Sequence, residues 1–367
     1  MSQYIHERPE WPSFRWDAAA LNGPLAEVRH RQGRLLGQME GLGFSLRAEA
    51  VLRTLTQDVL KSSEIEGEIL DAAQVRSSVA RRLGMDVGAA TPADRFVDGV
   101  VEMMLDATQN YAAPLTAERL FGWHAGLFPT GYSGMRKIAV GRWRDDAKGP
   151  MQVVSGSLGR ERVHYEAPAA TWLDGEMRRF MDWFDNGEGL DGVLRAGLAH
   201  LWFVTLHPFE DGNGRIARAL ADMTLARTER TKQRFYSLST QIRKERNDYY
   251  AILERTQKGD LDVTAWLLWF LDCLGRAISG TETTLEAVFA KSRFWERQKA
   301  VSLNERQRLM VNKLLDGFEG KLTSSKWAKI AKCSQDTALR DIRELLDRGI
   351  LAKEPAGGRS TAYTLKT

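Results

Sequence analysis

Residues 199–223 read AHLWFVTLHPFEDGNGRIARALADM. The stretch opens on an apolar run at helical spacing, where Leu201 and Val204 continue Leu194 and Leu198. It closes on a second such run, with Ile216, Leu220 and Met223 on one side. A polar, glycine-bearing loop therefore joins two predicted helices. Asn213-Gly214 is also a hairpin-turn dipeptide, but its flanks carry helical rather than two-residue periodicity, which sets that reading aside.

The residue types in the loop point to anion chemistry. Gly212 and Gly214 permit close backbone approach, so successive N–H groups leading into a helix N-terminus can cradle phosphate. Arg215 and Arg218 are three apart in the first helical turn, share a face, and can grip further phosphate oxygens. Asp211 offers the hard carboxylate oxygen that Mg²⁺ takes while keeping most of its waters. His207 titrates near neutrality and could accept a proton from an attacking hydroxyl. A lone histidine, His207 or His200, is more often structural. Base, metal ligand, cradle and two guanidinium groups together fit transfer of a phosphorus centre. An EF-hand would need an acid at Arg215 and a glycine at Ile216, and neither HExxH nor a Walker lysine loop occurs.

Residues 207–218 match the HxFx(D/E)GNGRxxR signature at each defining position, and by that run the chain resembles Fic-domain proteins. The resemblance implies a mainly α fold, with a helical core and a β-hairpin flap. Such a core uses ATP and Mg²⁺ to adenylylate a Ser, Thr or Tyr hydroxyl of a protein, the chain itself included, and releases pyrophosphate. It implies His207 as the base and Asp211 as the Mg²⁺ ligand. Gly212, Asn213, Gly214, Arg215, Ile216, Ala217 and Arg218 become the nucleotide-binding run, with Arg215 and Arg218 clamping the β- and γ-phosphates. The expected partners are ATP and a hydroxyl-bearing protein target. De-adenylylation, or transfer from another nucleotide, is the alternative within the family.

Other segments extend the resemblance. Across residues 137–168, glycines punctuate two β-favouring runs, 151–154 and 162–165; these read as a hairpin and resemble the family's flap, to which a target segment adds as a strand. Tyr249-Tyr250 and Gln257-Lys258-Gly259-Asp260 resemble the segment lining the adenine pocket, with Tyr250 as the base contact; a helical tyrosine that is buried is more often core. Ser62-Ser63-Glu64-Ile65-Glu66-Gly67 matches the inhibitory motif (S/T)xxxE(G/N), with Ser62 and Glu66 on one helix face and Gly67 suited to the helix end. A carboxylate at Glu66 would pair bidentately with Arg218 and remove the γ-phosphate clamp. Trp11, Phe14, Trp16 and Asp17, ahead of a helix, resemble the helical domain that presents this motif in a bacterial-type subgroup.

The C-terminal residues read differently. Residues 301–367 hold 13 Lys and Arg against 8 Asp and Glu, so the +4 of the whole chain is concentrated there. The pattern predicts a helix from Leu303 to about Leu315, a short helix capped near Thr323, a turn at Cys333-Ser334, and a helix through Asp347. Two strands around Gly357-Gly358-Arg359 follow, in the order of a winged helix-turn-helix. Ser334 to Arg343 would be the recognition helix, with Gln335, Thr337 and Arg340 toward a groove and Arg359 on the wing. Asp336, Asp341 and Glu344 dilute its charge. DNA, another protein or a second copy of the chain is the partner such a module takes, and a DNA-binding regulator is the competing function.

At 367 residues, 43% hydrophobic and 27% charged, the chain has room for two or three compact domains. Composition divides it into a helical N-terminal domain (1–95, ending near Gly88 to Pro92), a catalytic core (96–280), a helical connector (281–302) and the winged helix (303–367). No apolar run of about 18 residues and no apolar leader is present, so the expectation is a cytoplasmic protein without membrane contact. Two cysteines, Cys273 and Cys333, with no CxxC pairing exclude a disulfide framework or zinc cluster.

Overall fold

The computed structural model describes residues 4–86, 91–147, 149–156, 160–187, 189–298, 301–315, 318, 320–354 and 361–366. Gly88, Gly159, Gly357, Gly358 and Arg359 lie outside the described residues. The chain divides into two compact units, residues 1–41 with 47–281 and residues 42–46 with 282–367. The N-terminal helices and the central body thus share one unit.

Local chemistry decides where most helices start. Asp17 accepts from the Ala19 and Ala20 N–H groups and begins α1 (Ala18–Glu40). Next come α2 (Phe44–Ile65), α3 (Ala72–Arg82) capped by Asp71, α4 (Arg95–Gln109) capped by Asp94, and α5 (Ala117–Leu127) capped by Thr116. The pattern then switches to short strands. β1 (Tyr132–Ser133) and β2 (Arg136–Lys137) form a small hairpin that the periodicity did not disclose. β3 (Gln152–Ser155) and β4 (Arg162–Glu166) form the predicted one, antiparallel, with a bulge between Val153 and Val154.

The helices that position the site follow: α6 (Leu173–Asn186), α7 (Gly192–Leu206), α8 (Asn213–Glu229), α9 (Leu238–Lys244), α10 (Arg246–Gln257) and α11 (Thr264–Thr284). α7 is buried at every residue from Ala196 to Leu206, and α8 at every residue from Arg215 to Ala226. Helices buried all round belong at the centre of a domain. α7 and α8 are that centre, packed on each other with α4 against α8. At their turn α4 and α5 cross closely, because Gly99 lies against the Gly126 backbone. The N-terminal aromatics seal the outside, with the Trp11 and Phe14 ring centroids 6.1 and 5.8 Å from that of Trp202. Among the described residues no helix is long and apolar enough to cross a membrane.

The second unit holds α12 (Glu286–Arg297), α13 (Glu305–Leu315), α14 (Ser324–Ile330), α15 (Gln335–Asp347) and the antiparallel pair β5 (Leu351–Lys353) and β6 (Tyr363–Leu365). Trp327, Met310, Val311, Ile342, Leu345, Ile350 and Leu351 fill its core. Thr323 and Ser334 cap α14 and α15. Of the residues expected to face a groove, Gln335 and Arg340 are exposed, whereas Thr337 is half-buried and its hydroxyl bonds that of Ser334. Of the three acids expected to dilute that face, Asp336 is exposed and the Glu344 side chain is 43% exposed, whereas Asp341 does not contribute. Asp341 is buried and accepts from Arg306 and Asn304, and Glu344 accepts from Gln307 and Arg348.

Candidate nucleotide site at the mouth of α8

The loop between α7 and α8 is held by its own side chains. Phe209 is fully buried and stacks on His124, with ring centroids 4.1 Å apart and planes 9° off parallel. Asn213 closes the loop back on Phe209: its Oδ1 accepts from the Phe209 N–H at 3.0 Å and its Nδ2 donates to the Phe209 carbonyl at 2.8 Å. The Asn213 side chain is therefore spent inside the loop. Gly212, at φ +82°, caps α8 without a side chain, and the first bond into the helix runs from the Ile216 N–H to the Gly212 carbonyl. The N–H groups of Asn213, Gly214 and Arg215 precede that bond and carry the positive end of the helix dipole. Ile216 and Ala217 are fully buried, and Ile216 has already used its N–H, so neither offers a group to a ligand at this mouth.

His207 ends α7 in the left-handed region, at φ 49° and ψ 55°. Its Nδ1 lies 3.3 Å from the Val204 carbonyl, which makes Nδ1 the protonated nitrogen and leaves Nε2 as the acceptor. Burial pushes its pKa down to about 4, with Arg144 adding to the effect and the Val204 carbonyl, Asp211 and Glu66 opposing it. A half-buried face still meets solvent, so the ring is a neutral base at pH 7. His200, by contrast, is fully buried on Tyr249 OH at 2.8 Å, and burial lowers it to about 3; it is structural. Asp211 receives the Ser133 hydroxyl of β1 on one oxygen and the Gly212 N–H on the other.

The mouth of α8 is filled by carboxylates. α2 stops at Ile65, and Gly67 at φ +88° turns the chain back. Glu66 Oε1 accepts from Arg218 Nη2 at 2.8 Å, and a Cβ built on Gly214 would lie 2.3 Å from that same oxygen. The expected bidentate pair is not formed. Arg218 is fully buried, and its other contacts go to Ser62, from Nε to Oγ at 3.0 Å and from Nη2 to the carbonyl at 2.8 Å. Arg215 is also occupied, donating from Nη1 to Glu68 Oε2 at 3.0 Å while its guanidinium lies 5.9 and 5.1 Å from the ring centroids of Phe96 and Phe128. Tyr250 is 39% exposed and faces Arg246; burial and the Glu66 charge raise its hydroxyl pKa, while Arg218 and Arg246 oppose the rise.

Three supports were not visible in the motif. Arg144, 3% exposed, donates its backbone N–H to the Pro208 carbonyl at 2.9 Å and Nε to the His207 carbonyl at 2.8 Å, while Nη2 reaches the Pro168 carbonyl. It ties the base to the segment following β4. Glu254 of α10 holds β4 through Arg162 at 3.0 Å and His164 at 2.6 Å, and those bonds together with Lys258 depress its pKa to about 2 against the effect of burial. Glu68 is the third. Nothing in their local sequence announces these partners, which lie 63, 90 or more, and 147 residues away along the chain.

Residues 114–225 match the Fic/DOC family, and residues 4–85 match a domain of unknown function, DUF4172. A protein adenylyltransferase Fic of Drosophila mojavensis is 32% identical over 236 residues, 63% of this chain and 40% of its own length. A uridine 5′-monophosphate transferase of Xanthomonas campestris pv. campestris is 30% identical over 132 residues, 31% of this chain and 22% of its own length. The chain thus spans less than half of either relative. The crystal structure of a Fic family protein from Desulfovibrio desulfuricans G20 shares the fold, with a TM-score of 0.60 at 19% identity, over 95% of this chain and 97% of that one.

Proposed function

Because the chain belongs to the Fic-domain family, we propose that it transfers AMP from ATP to a Ser, Thr or Tyr hydroxyl of a protein, itself included, and that Glu66 holds this activity down. The observation that carries the reading is a carboxylate resting at the uncapped N-terminus of α8 against Gly214 and Arg218, where the protein supplies its own anion to an anion seat.

In the reaction, the target oxygen bonds to the α-phosphorus, its proton passes to Nε2 of His207, and the bond to the β-phosphate oxygen breaks to release pyrophosphate. The N–H groups of Asn213, Gly214 and Arg215 would hold phosphate oxygens, joined by Arg215 and Arg218. Asp211 suits Mg²⁺ as a single hard carboxylate beside a phosphate seat. Among the described residues no three His, Cys, Asp or Glu side chains form a cluster that could hold a metal, so the remaining oxygens would come from phosphates and water. When bound, the ion would neutralise charge developing on the leaving pyrophosphate. The flap β3–β4 would receive the target segment as an added strand, and Tyr250 would border the base. We place this reaction in the cytoplasm, which supplies ATP and Mg²⁺.

The test is intact-mass analysis of the wild type, Glu66→Gly and His207→Ala after incubation with Mg²⁺ and ATP. A gain of one AMP by the Glu66 variant, little by the wild type and none by the His207 variant is expected. No gain by the Glu66 variant with any labelled nucleotide would sink the reading. The Xanthomonas relative is named for UMP transfer, so ATP, GTP, CTP and UTP belong in the same assay.

A second reading concerns the C-terminal unit. With Asp341 buried against Arg306 and Glu344 paired with Arg348, the exposed surface of α14–α15 presents Lys329, Lys332, Arg340 and Arg343 against Asp336 and Asp347. We infer duplex DNA contact there. A gel-shift assay should show binding weakened by Arg340→Ala with Arg343→Ala and by added salt; equal mobility of both proteins at low salt removes the inference.

A further inference from the structure

The turn after α2 carries two carboxylates, one on each side of Gly67, and each meets a different arginine of α8. Backbone bonds from the Glu66, Gly67 and Glu68 N–H groups to Ser63 and Glu64 carbonyls, at 3.0 to 3.1 Å, make this turn a fixed unit. Glu66 reaches Arg218 and Glu68 reaches Arg215. Arg215 is 1% exposed and Arg218 is 0% exposed, and each keeps one buried N–H without a partner, Nε of Arg215 and Nη1 of Arg218. Of these leftover donors, Nη1 of Arg218 lies beside Gly214 at the mouth of α8, 3.2 Å from where a Cβ there would stand. The surroundings of Glu68 are strained electrically as well: burial raises its pKa, and the nearby Asp211 and Glu66 carboxylates raise it further, while Arg215 pulls it back. Glu68 thus holds the clamp arginine within the field of the carboxylate expected to face Mg²⁺.

We propose that Glu68 is a second carboxylate that excludes polyphosphate from the site, by occupying Arg215 as Glu66 occupies Arg218. The inference rests on the nucleotide-transfer reading above. When Glu66 alone is removed, Arg215 is still neutralised, and a negative charge still faces the β- and γ-phosphates. Full opening needs both carboxylates to leave, and the shared turn lets them leave together.

The experiment measures Mg²⁺–ATP and AMP binding by calorimetry, in a His207→Ala background that prevents turnover. The variants are Glu66→Gly, Glu68→Gln and both together. Relative to Glu66→Gly, the double variant should bind ATP roughly ten-fold more tightly, the scale of one charge-assisted hydrogen bond. AMP, which lacks the β- and γ-phosphates, should bind both equally. With His207 restored, the double variant should also self-label faster than Glu66→Gly. A purely structural Glu68 would shift AMP and ATP alike or weaken both, and either result overturns the proposal, as does an unchanged ATP affinity. If the double variant neither binds ATP nor labels, the transfer reading itself has failed rather than the Glu68 assignment. Thermal unfolding checks that each variant is folded. Should Glu68→Gln not fold, Glu68→Ala, which removes both the charge and the Arg215 contact, takes its place with the same expected outcomes.

Discussion

Replacing Asn213 with alanine asks whether this side chain holds the loop or grips the ligand. Both of its polar atoms are spent on Phe209, at 3.0 and 2.8 Å, and the two residues are 2% and 0% exposed. Truncation would leave a peptide donor and a peptide acceptor buried without partners. At about 1–3 kcal/mol for each orphaned group, the ceiling is about 6 kcal/mol. Glu210 and Asp211 beside them are only half-buried, so water can recover part of that. The expected cost is about 2–4 kcal/mol, a fall in Tm on the order of 5–10 °C for a unit of this size. Asn213→Asp keeps the acceptor for the Phe209 N–H and loses only the donor, so it should fall about half as far. Thermal and urea unfolding without nucleotide measure both. If Asn213→Ala melts within about 1 °C of the wild type and loses only ATP affinity, the side chain is a ligand group and the clamp argument is wrong.

Two further perturbations test the frame around the loop. His124, His200 and His207 are lowered by burial to about 4, 3 and 4, so between pH 6.5 and 4 the unfolded chain binds protons that the folded one does not; this contribution to stability is present above about pH 6.5 and drains as pH falls, by roughly 2 kcal/mol per ring at pH 5. Urea titrations at pH 7.5 and 5 check it, and equal midpoints would refute it. A Cβ at Gly99 would lie 1.9 Å from the Gly126 carbonyl oxygen, whereas one at Gly126 meets nothing nearer than 3.3 Å, so Gly99→Ala should cost about 3 kcal/mol and Gly126→Ala clearly less. Equal losses in unfolding free energy would show that the α4–α5 crossing is not the constraint.

What could be read in the sequence was local. The loop is legible because His207, Phe209, Asp211, Gly212, Asn213 and the arginines fall within one helix turn and its approach, where spacing alone brings them together. Glu66 is legible for the same reason, since Ser62 and Gly67 mark a helix end. Pairing is less so. The hairpin β3–β4 lies within a residue of its predicted strands, but the bulge at Val153 and Val154 depends on register, which alternation does not specify. Arg144, Glu254 and Glu68 act through partners far along the chain, and a charged residue read alone looks like solvated surface. Asp341 of α15 shows the converse: counted in sequence it dilutes the face with Asp336 and Glu344, whereas it is buried and committed to Arg306 and Asn304. The motif puts Asn213 in the nucleotide-binding run, and only the fold reveals that its side chain bonds the loop itself.

The uncapped helix end also gives this turn a part in folding, beside the inhibition proposed for it. α8 begins with no side-chain cap, and behind it lie two guanidinium groups almost wholly out of water. Without a resident anion, that arrangement would hold concentrated positive charge in a place where solvent cannot reach it. Glu66 and Glu68 offset it. Glu66→Gly should therefore lose stability as it gains activity, yet less than the about 3–5 kcal/mol of a fully buried broken pair, because Ser62 still accepts from Arg218 and the Glu66 side chain is 27% exposed. A loss of about 1–2 kcal/mol is expected, and saturating Mg²⁺–ATP at about 100 times Kd should return about 2.7 kcal/mol. In the His207→Ala background, the Tm of Glu66→Gly should sit below its Glu66 parent without nucleotide and rise more with it. Equal starting Tm values and equal nucleotide shifts would mean that Glu66 and phosphate do not compete for the same seat.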